Sequence, residues 1–136
     1  INYEPAESTT PLFGGNSNWR GPVWFPMNYL FIHAIKEYHN YAGEELVFEF
    51  PTGSNNKIGL DEVGRQLSKR LISIFESDST GNRPVNALHQ LKYTDENFQD
   101  LILFYEYFHG DNGRGVGASH QTGWTALVAN LINEIQ

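Results

Sequence analysis

Cysteine is absent from this chain of 136 residues, so it has neither a disulfide framework nor a thiolate metal site, and any redox compartment is compatible with it. Basic residues are scarce, 9 Lys and Arg against 16 Asp and Glu, which leaves a formal charge of −7. That balance argues against nucleic acid and anionic membrane surfaces as partners. No apolar run approaches the roughly 20 residues a membrane span needs, and no charged start leads into an apolar secretory segment. The compartment stays open. The chain also lacks an initiator methionine: it opens INYEPAESTTP and reads as a segment of a longer protein. What it does have is a 40% hydrophobic and 14% aromatic content, enough for one globular domain with a buried core.

Residues 1 to 21 hold Pro5, Pro11, Gly14 and Gly15 among many Ser, Thr and Asn, and predict an ordered loop or extended lead-in. From Pro26 the pattern changes. Met27, Leu30, Phe31, Ala34, Ile35 and Tyr38 recur at helical spacing, with Gly43 placed to stop the helix. LVFEF and KIGL flank the turn formers PTGSNN, which predicts a short hairpin. Leu60, Val63, Leu67, Leu71, Ile74 and Phe75 mark a second amphipathic helix whose Arg65, Lys69 and Arg70 face solvent. Residues 77 to 97 show no period and read as a long connection. The run LILFYEYF, from Leu101 to Phe108, is either a buried strand or a buried helical turn; periodicity does not decide between them. HGDNGRGVGASH is a glycine-rich loop, and Trp124, Leu127, Val128, Leu131, Ile132 and Ile135 predict a third amphipathic helix.

Three stretches could carry chemistry. Glu106 stands among Phe104, Tyr105, Tyr107 and Phe108. A carboxylate that loses hydration on an aromatic surface becomes suited to proton transfer near neutral pH. The alternative is a structural glutamate paired with Arg20, Arg114 or a backbone N–H. The second stretch is GGNSNWRGPVWFP, where glycines and prolines stiffen a loop holding Trp19, Arg20 and Trp24. Aromatic faces stack on sugar rings while Arg and Asn reach hydroxyls, so the loop suits a carbohydrate subsite; a buried turn with tryptophan anchors is the other reading. The third is GDNGRGVGASHQTGW. It has neither a dinucleotide fingerprint nor a GK[ST] ending, which disfavours nucleotide cofactors. Asp111 and His120 are too isolated for a metal site, so no metal and no cofactor are expected. His33, His39, His89 and His109 read as surface histidines or satisfied core ones.

Two of these stretches, GGNSNWRGPVWFPMN and FYEYFHGDNGRGVGASHQTGWTALVA, together resemble the C-terminal part of glycoside hydrolase family 63 and its relatives. The resemblance covers nearly the whole chain after residue 12 and is specific to the superfamily, not to a substrate. It implies a mainly α fold: part of an (α/α)6 barrel, the C-terminal helices of the toroid, with a small β-hairpin and long ordered loops. Residues 1–136 would then be the C-terminal segment of a catalytic domain that is incomplete on its own.

The resemblance further implies an inverting hydrolase acting on α-linked glucose- or mannose-containing oligosaccharides or glycosides. Glu106 matches the general base, and Trp19, Arg20 and Trp24 match the loop lining the sugar pocket. His120, Gln121 and Trp124 match the segment that closes the pocket from the other side. The family's general acid, an aspartate, lies upstream of the matching region and has no counterpart here. The chain would thus need the remaining helices of its barrel, or self-association through exposed apolar faces. A non-catalytic carbohydrate-binding or scaffolding module, or a purely structural interaction domain, are the competing readings.

Overall fold

The protein's structure, a computed structural model, describes residues 3–9 and 21–135. Helix α1 runs from Phe25 to Ala42. Trp24 precedes it in extended conformation, Pro26 falls in the first turn where its missing N–H does no harm, and Gly43 ends it at φ 74° with its N–H on the His39 carbonyl. Strands β1 (Val47–Glu49) and β2 (Lys57–Gly59) pair antiparallel, with Phe48 opposite Ile58. The expected hairpin is therefore present. The Arg70 guanidinium lies 5.0 Å from the centre of the Phe50 ring and ties the hairpin's turn to the next helix.

Helix α2 (Leu60–Ile72) carries Asp61 and Glu62 in its first turn and Lys69 and Arg70 in its last, the arrangement a helix dipole favours. Its buried face is Val63, Gly64, Ser68, Leu71 and Ile72. A β-carbon at Gly64 would lie 3.5 Å from Lys36 Cγ, so the absence of a side chain brings α1 and α2 close together. Ile74 and Phe75 lie beyond the helix end, where Ile74 N–H and Phe75 N–H form tight bonds to the carbonyls three residues back, yet both side chains are buried.

The stretch 77 to 97 is less featureless than its sequence. Pro84–Asn86 form a 3₁₀ turn, Gln90–Tyr93 a one-turn helix α3, and Val85, Asn86 and Tyr93 are buried. Arg83 fastens it at both ends, donating to the Phe75 carbonyl and the Gln99 carbonyl at 3.0 Å each.

LILFYEYF is neither one strand nor a helical turn. Only Tyr107–Phe108 form a strand, β3, which pairs antiparallel with β4 (Gly115–Val116). The glycine-rich stretch thus closes a second, tighter hairpin, with His109 N–H on the Arg114 carbonyl and Gly113 at φ 71° in the turn. The expected third helix is split in two. α4 (Thr122–Thr125) and α5 (Leu127–Ile135) meet at Ala126, where Ala129 N–H bonds the Ala126 carbonyl three residues back.

The core joins Phe25, Phe75 and Phe108, whose ring centres lie 5.9, 5.5 and 5.6 Å apart in edge-on contacts, to Ile32, Val128 and Leu131. The molecule is mainly helical with small two-stranded elements, and no described helix is long and apolar enough to cross a membrane.

Helix α1 is also tied to α5 through one carboxylate. Lys36 Nζ donates to Glu134 Oε2 at 2.6 Å, His33 Nε2 lies 3.2 Å from Glu134 Oε1 without hydrogen-bond alignment, and the Tyr29 hydroxyl reaches it at 3.4 Å. The Lys36 hydrogen bond, helped by the Lys36 and His33 charges and opposed by partial burial, holds the Glu134 carboxyl below its ordinary range. A depressed folded-state value stabilises the fold above the group's ordinary value, and that contribution disappears as pH falls through the depressed one. Wild type should therefore lose more stability than Glu134→Gln on acidification from neutral pH. Urea midpoints measured across that range check this: parallel curves for the two proteins would show that Glu134 contributes nothing.

Candidate functional site

The geometry around Glu106 follows from the second hairpin. Phe108 exchanges two backbone hydrogen bonds with Val23, 3.2 Å from Val23 N–H and 2.9 Å back, which brings the Trp24 segment beside the strand that follows Glu106. On the other side Glu106 N–H donates to the Ala118 carbonyl and Ala118 N–H donates to Glu106 Oε2, both at 2.9 Å. Glu106 is half-buried, and its other oxygen, Oε1, has no hydrogen bond from a described residue. Of the partners expected for a structural glutamate, it is the backbone N–H that the structure supplies.

Further contacts draw in the C-terminal residues. Phe104 O accepts from Gln121 N–H, Phe104 N–H lies 3.4 Å from His120 Nδ1, and the Phe104 and His120 rings are 5.6 Å apart. The hydroxyl of Thr125, fully buried, donates to the Tyr105 carbonyl at 2.5 Å. Thr125 places its neighbour Trp124 against Trp24, with ring centres 5.4 Å apart and planes at 88°. The Trp24 indole N–H is buried and has no hydrogen-bond partner among the described residues. Buried indole donors usually find an acceptor, so this one is a gap that a ligand oxygen could fill.

The structure therefore connects Glu106, Trp24, His120, Gln121 and Trp124 through one chain of contacts. Trp19 and Arg20 lie outside the described residues. His120 is exposed and Gln121 half-buried, whereas Trp124 is half-buried and packs edge-on against Trp24. Thr125 was not picked out from sequence; a threonine at the end of a short helix carries no signal of which distant carbonyl it will meet.

The hydroxyls nearby stay neutral. Burial pushes the Tyr107 phenol above its usual range, the Glu7 and Glu106 charges push it further, and Arg114 opposes them. The Tyr105 phenol is likewise raised, by burial first and then by Tyr93. Among the described residues no group of three or more His, Cys, Asp or Glu could hold a metal ion. Of the histidines, His33 and His39 depart from expectation: among the described residues His33 Nε2 and His39 Nδ1 are buried without a hydrogen-bond partner, although His39 Nε2 lies 3.5 Å from Glu44. A cleft of about 480 Å³ among the described residues lies between Phe31 and Arg70 of the helices and the His109–Gly113 turn, and Glu106 does not line it.

Comparison with known proteins bears on what this site is. Residues 10–57 match the glycosyl hydrolase family 63 C-terminal domain. The mannosyl-oligosaccharide glucosidase of Saccharomyces cerevisiae is 30% identical over 88% of the chain. The chain resembles the C-terminal part of a family 63 glycoside hydrolase. Alpha-glucosidase 2 of Arabidopsis thaliana is 23% identical over 85% of the chain, and an uncharacterized protein of Saccharomyces cerevisiae is 44% identical over 99% of it. The chain spans 13% of the length of that last protein and 11% of each of the two glucosidases. No solved structure matches significantly. The family 63 match takes in the Trp24 loop, α1 and the first hairpin as far as the start of β2, and the relatives' similarity extends over the Glu106 segment as well.

Two glycines set the aromatic walls of this family 63-like site. A β-carbon at Gly115 would fall 2.2 Å from Tyr105 Cδ2, and one at Gly21, at φ 61°, would fall 1.9 Å from Tyr107 Cδ2. Each ring lies flat against bare main chain. Gly115→Ala should destabilise the protein by more than about 1 kcal/mol, because the Tyr105 ring must leave its place. Gly123→Ala, where nothing lies within 4 Å of the new methyl, should be neutral or gain up to about 1 kcal/mol from helix propensity in α4. Equal urea midpoints for the two variants would contradict the packing described.

Proposed function

We propose that this chain is part of an inverting glycoside hydrolase acting on α-linked glucose- or mannose-containing oligosaccharides or glycosides. Glu106 is its general base, and Trp24, Trp124, His120 and Gln121, with Trp19 and Arg20, line the sugar pocket. The observation that carries this reading is the carboxylate itself: half-exposed between aromatic neighbours in the chain, held at one oxygen by a main-chain N–H and without a hydrogen bond from a described residue at the other. A buried structural glutamate would have both oxygens engaged. Similarity to a mannosyl-oligosaccharide glucosidase supports the substrate class.

The chemistry asked of Glu106 is modest and specific. It removes a proton from the water that attacks the anomeric carbon, while a carboxylic acid elsewhere protonates the departing oxygen. In inverting enzymes these two carboxyls stand roughly 6.5–9.5 Å apart, leaving room for the water. The acid lies upstream of this segment in our reading, so residues 1–136 alone are inactive. The fold is correspondingly one part of an (α/α)6 barrel. Helix α1 supports this, since its apolar residues extend beyond the core face: Phe25 and Ile32 are buried while Met27, Leu30, Phe31 and Tyr38 are exposed. Such a face calls for cover, by the remaining helices of the barrel or by a second copy of the chain.

In the full-length protein, Glu106→Gln should lower turnover of an α-glucoside or α-mannoside by about 10²–10⁴-fold. Sugar affinity should be largely kept, because water activation is a transition-state interaction. NMR of the first-formed anomer should give the inverted product. Near wild-type turnover in the variant, or retention of configuration, would remove Glu106 from this role. Trp24→Ala should weaken sugar binding measured by titration calorimetry, and unchanged affinity would take Trp24 out of the pocket. Binding without cleavage of any sugar by the wild type would favour a carbohydrate-binding module instead, a reading for which the unpartnered Trp24 indole would serve equally well.

A further inference from the structure

The two oxygens of Glu106 are not equivalent. Oε2 accepts the Ala118 N–H at 2.9 Å, and Ala118 is itself fixed by the Glu106 N–H on its carbonyl, so backbone and side chain of one residue are clamped by one neighbour. The clamp depends on the residue before it. Gly117 sits at φ 75°, and a β-carbon there would fall 2.7 Å from Glu106 Oε2, 2.7 Å from Tyr107 Cε1 and 3.1 Å from Glu106 Cβ. Any side chain at 117 would push the carboxylate off the amide, in a backbone conformation that L-residues already disfavour.

From this asymmetry we infer that Glu106 Oε1 is the oxygen that takes the proton from water, and that Gly117 and the Ala118 amide are the positioning groups that present it. The inference rests on the reading of Glu106 as base. A proton arriving at Oε2 would weaken that oxygen as the acceptor of the Ala118 N–H, whereas one arriving at Oε1 leaves the Ala118 bond in place. The step balances. The water O–H breaks and its proton bonds to Oε1; the water oxygen's electron pair forms the bond to the anomeric carbon. The bond from that carbon to the departing oxygen breaks, and that oxygen takes its proton from the carboxylic acid elsewhere in the enzyme. A glutamate side chain has three rotatable bonds, and a misplacement of about 1 Å in such a step can cost on the order of 10²-fold in rate.

The test is made in the full-length protein by replacing the Ala118 backbone amide with an ester through nonsense suppression, which deletes the donor and keeps the shape. Gly117→Ala is measured beside it, with circular dichroism as a control for folding. We expect kcat to fall about 10- to 100-fold in both, with KM and the calorimetric affinity for sugar unchanged. If Gly117→Ala fails to fold, the ester variant decides. Unchanged kcat in a folded ester variant, or a loss shared between kcat and KM, overturns the positioning role while leaving Glu106 as base. Retained turnover in Glu106→Gln overturns the base itself, and the present inference with it.

Discussion

Phe108 is the residue on which the arrangement depends. Its ring, with no exposed surface, meets Phe25 and Phe75 edge-on, and its backbone pairs in both directions with Val23 and across the hairpin with Gly115. Those contacts fix three separate stretches at one point: the entry to α1, the exit of α2 and the strand that follows Glu106. Hydrophobic burial alone would hold the ring but leave the strand free to slide, while the two Val23 hydrogen bonds alone would be worth little beside water. Together they set a register. A slip of one residue would turn Glu106 towards the side now taken by its neighbours.

Around this anchor the main chain does work that side chains usually do. Gly21 and Gly115 give Tyr107 and Tyr105 flat backbone to lie on, and Gly117 lets the Ala118 amide reach a carboxylate. Tyr105 and Tyr107, which flank Glu106 in the chain, can take these places only because glycines face them. The glycine-rich stretch is thus a packing device for a charged group among rings, which is a different use from the phosphate-cradling loops that share its composition.

Legibility in the sequence followed the range of the forces involved. Helix α2 was readable because Val63, Leu67 and Leu71 repeat at 3.6 residues and Asp61, Glu62, Lys69 and Arg70 sort to its ends, all local properties. Helix α1 and the first hairpin were readable through Pro26, Gly43 and the PTGSNN turn. LILFYEYF was not, because its neighbours and not its own period decide its conformation: Val23, Ala118, Gln121 and Thr125 all bond to it from more than ten residues away. The same holds for 77 to 97, which Arg83 orders through two distant carbonyls. The break at Ala126 went unseen for a similar reason, since Thr125 spends its hydroxyl on Tyr105. The Asn112-Gly113 pair is the one local signal that could have announced the second hairpin. At the site, Glu106 stood out by its company, whereas its partner, a main-chain amide, has no side-chain signature.

The contest between a structural and a chemical glutamate turns on what each would require of the surroundings. A structural carboxylate in an aromatic setting offsets its lost hydration by saturating both oxygens, ideally with a guanidinium in bidentate contact. Arg114, close enough to act on the Tyr107 phenol, makes no ion pair with Glu106, and among the described residues the Ala118 amide alone donates to the carboxylate, at one oxygen. A general base needs the reverse: enough support to stay in place, and an unengaged oxygen on an accessible edge. Half-exposure supplies the accessible edge, and the Ala118 bond supplies the support without consuming the second oxygen. The arrangement is poor as a stabilising device and suited to a reactive one, and that difference is what the proposal of Glu106 as base rests on.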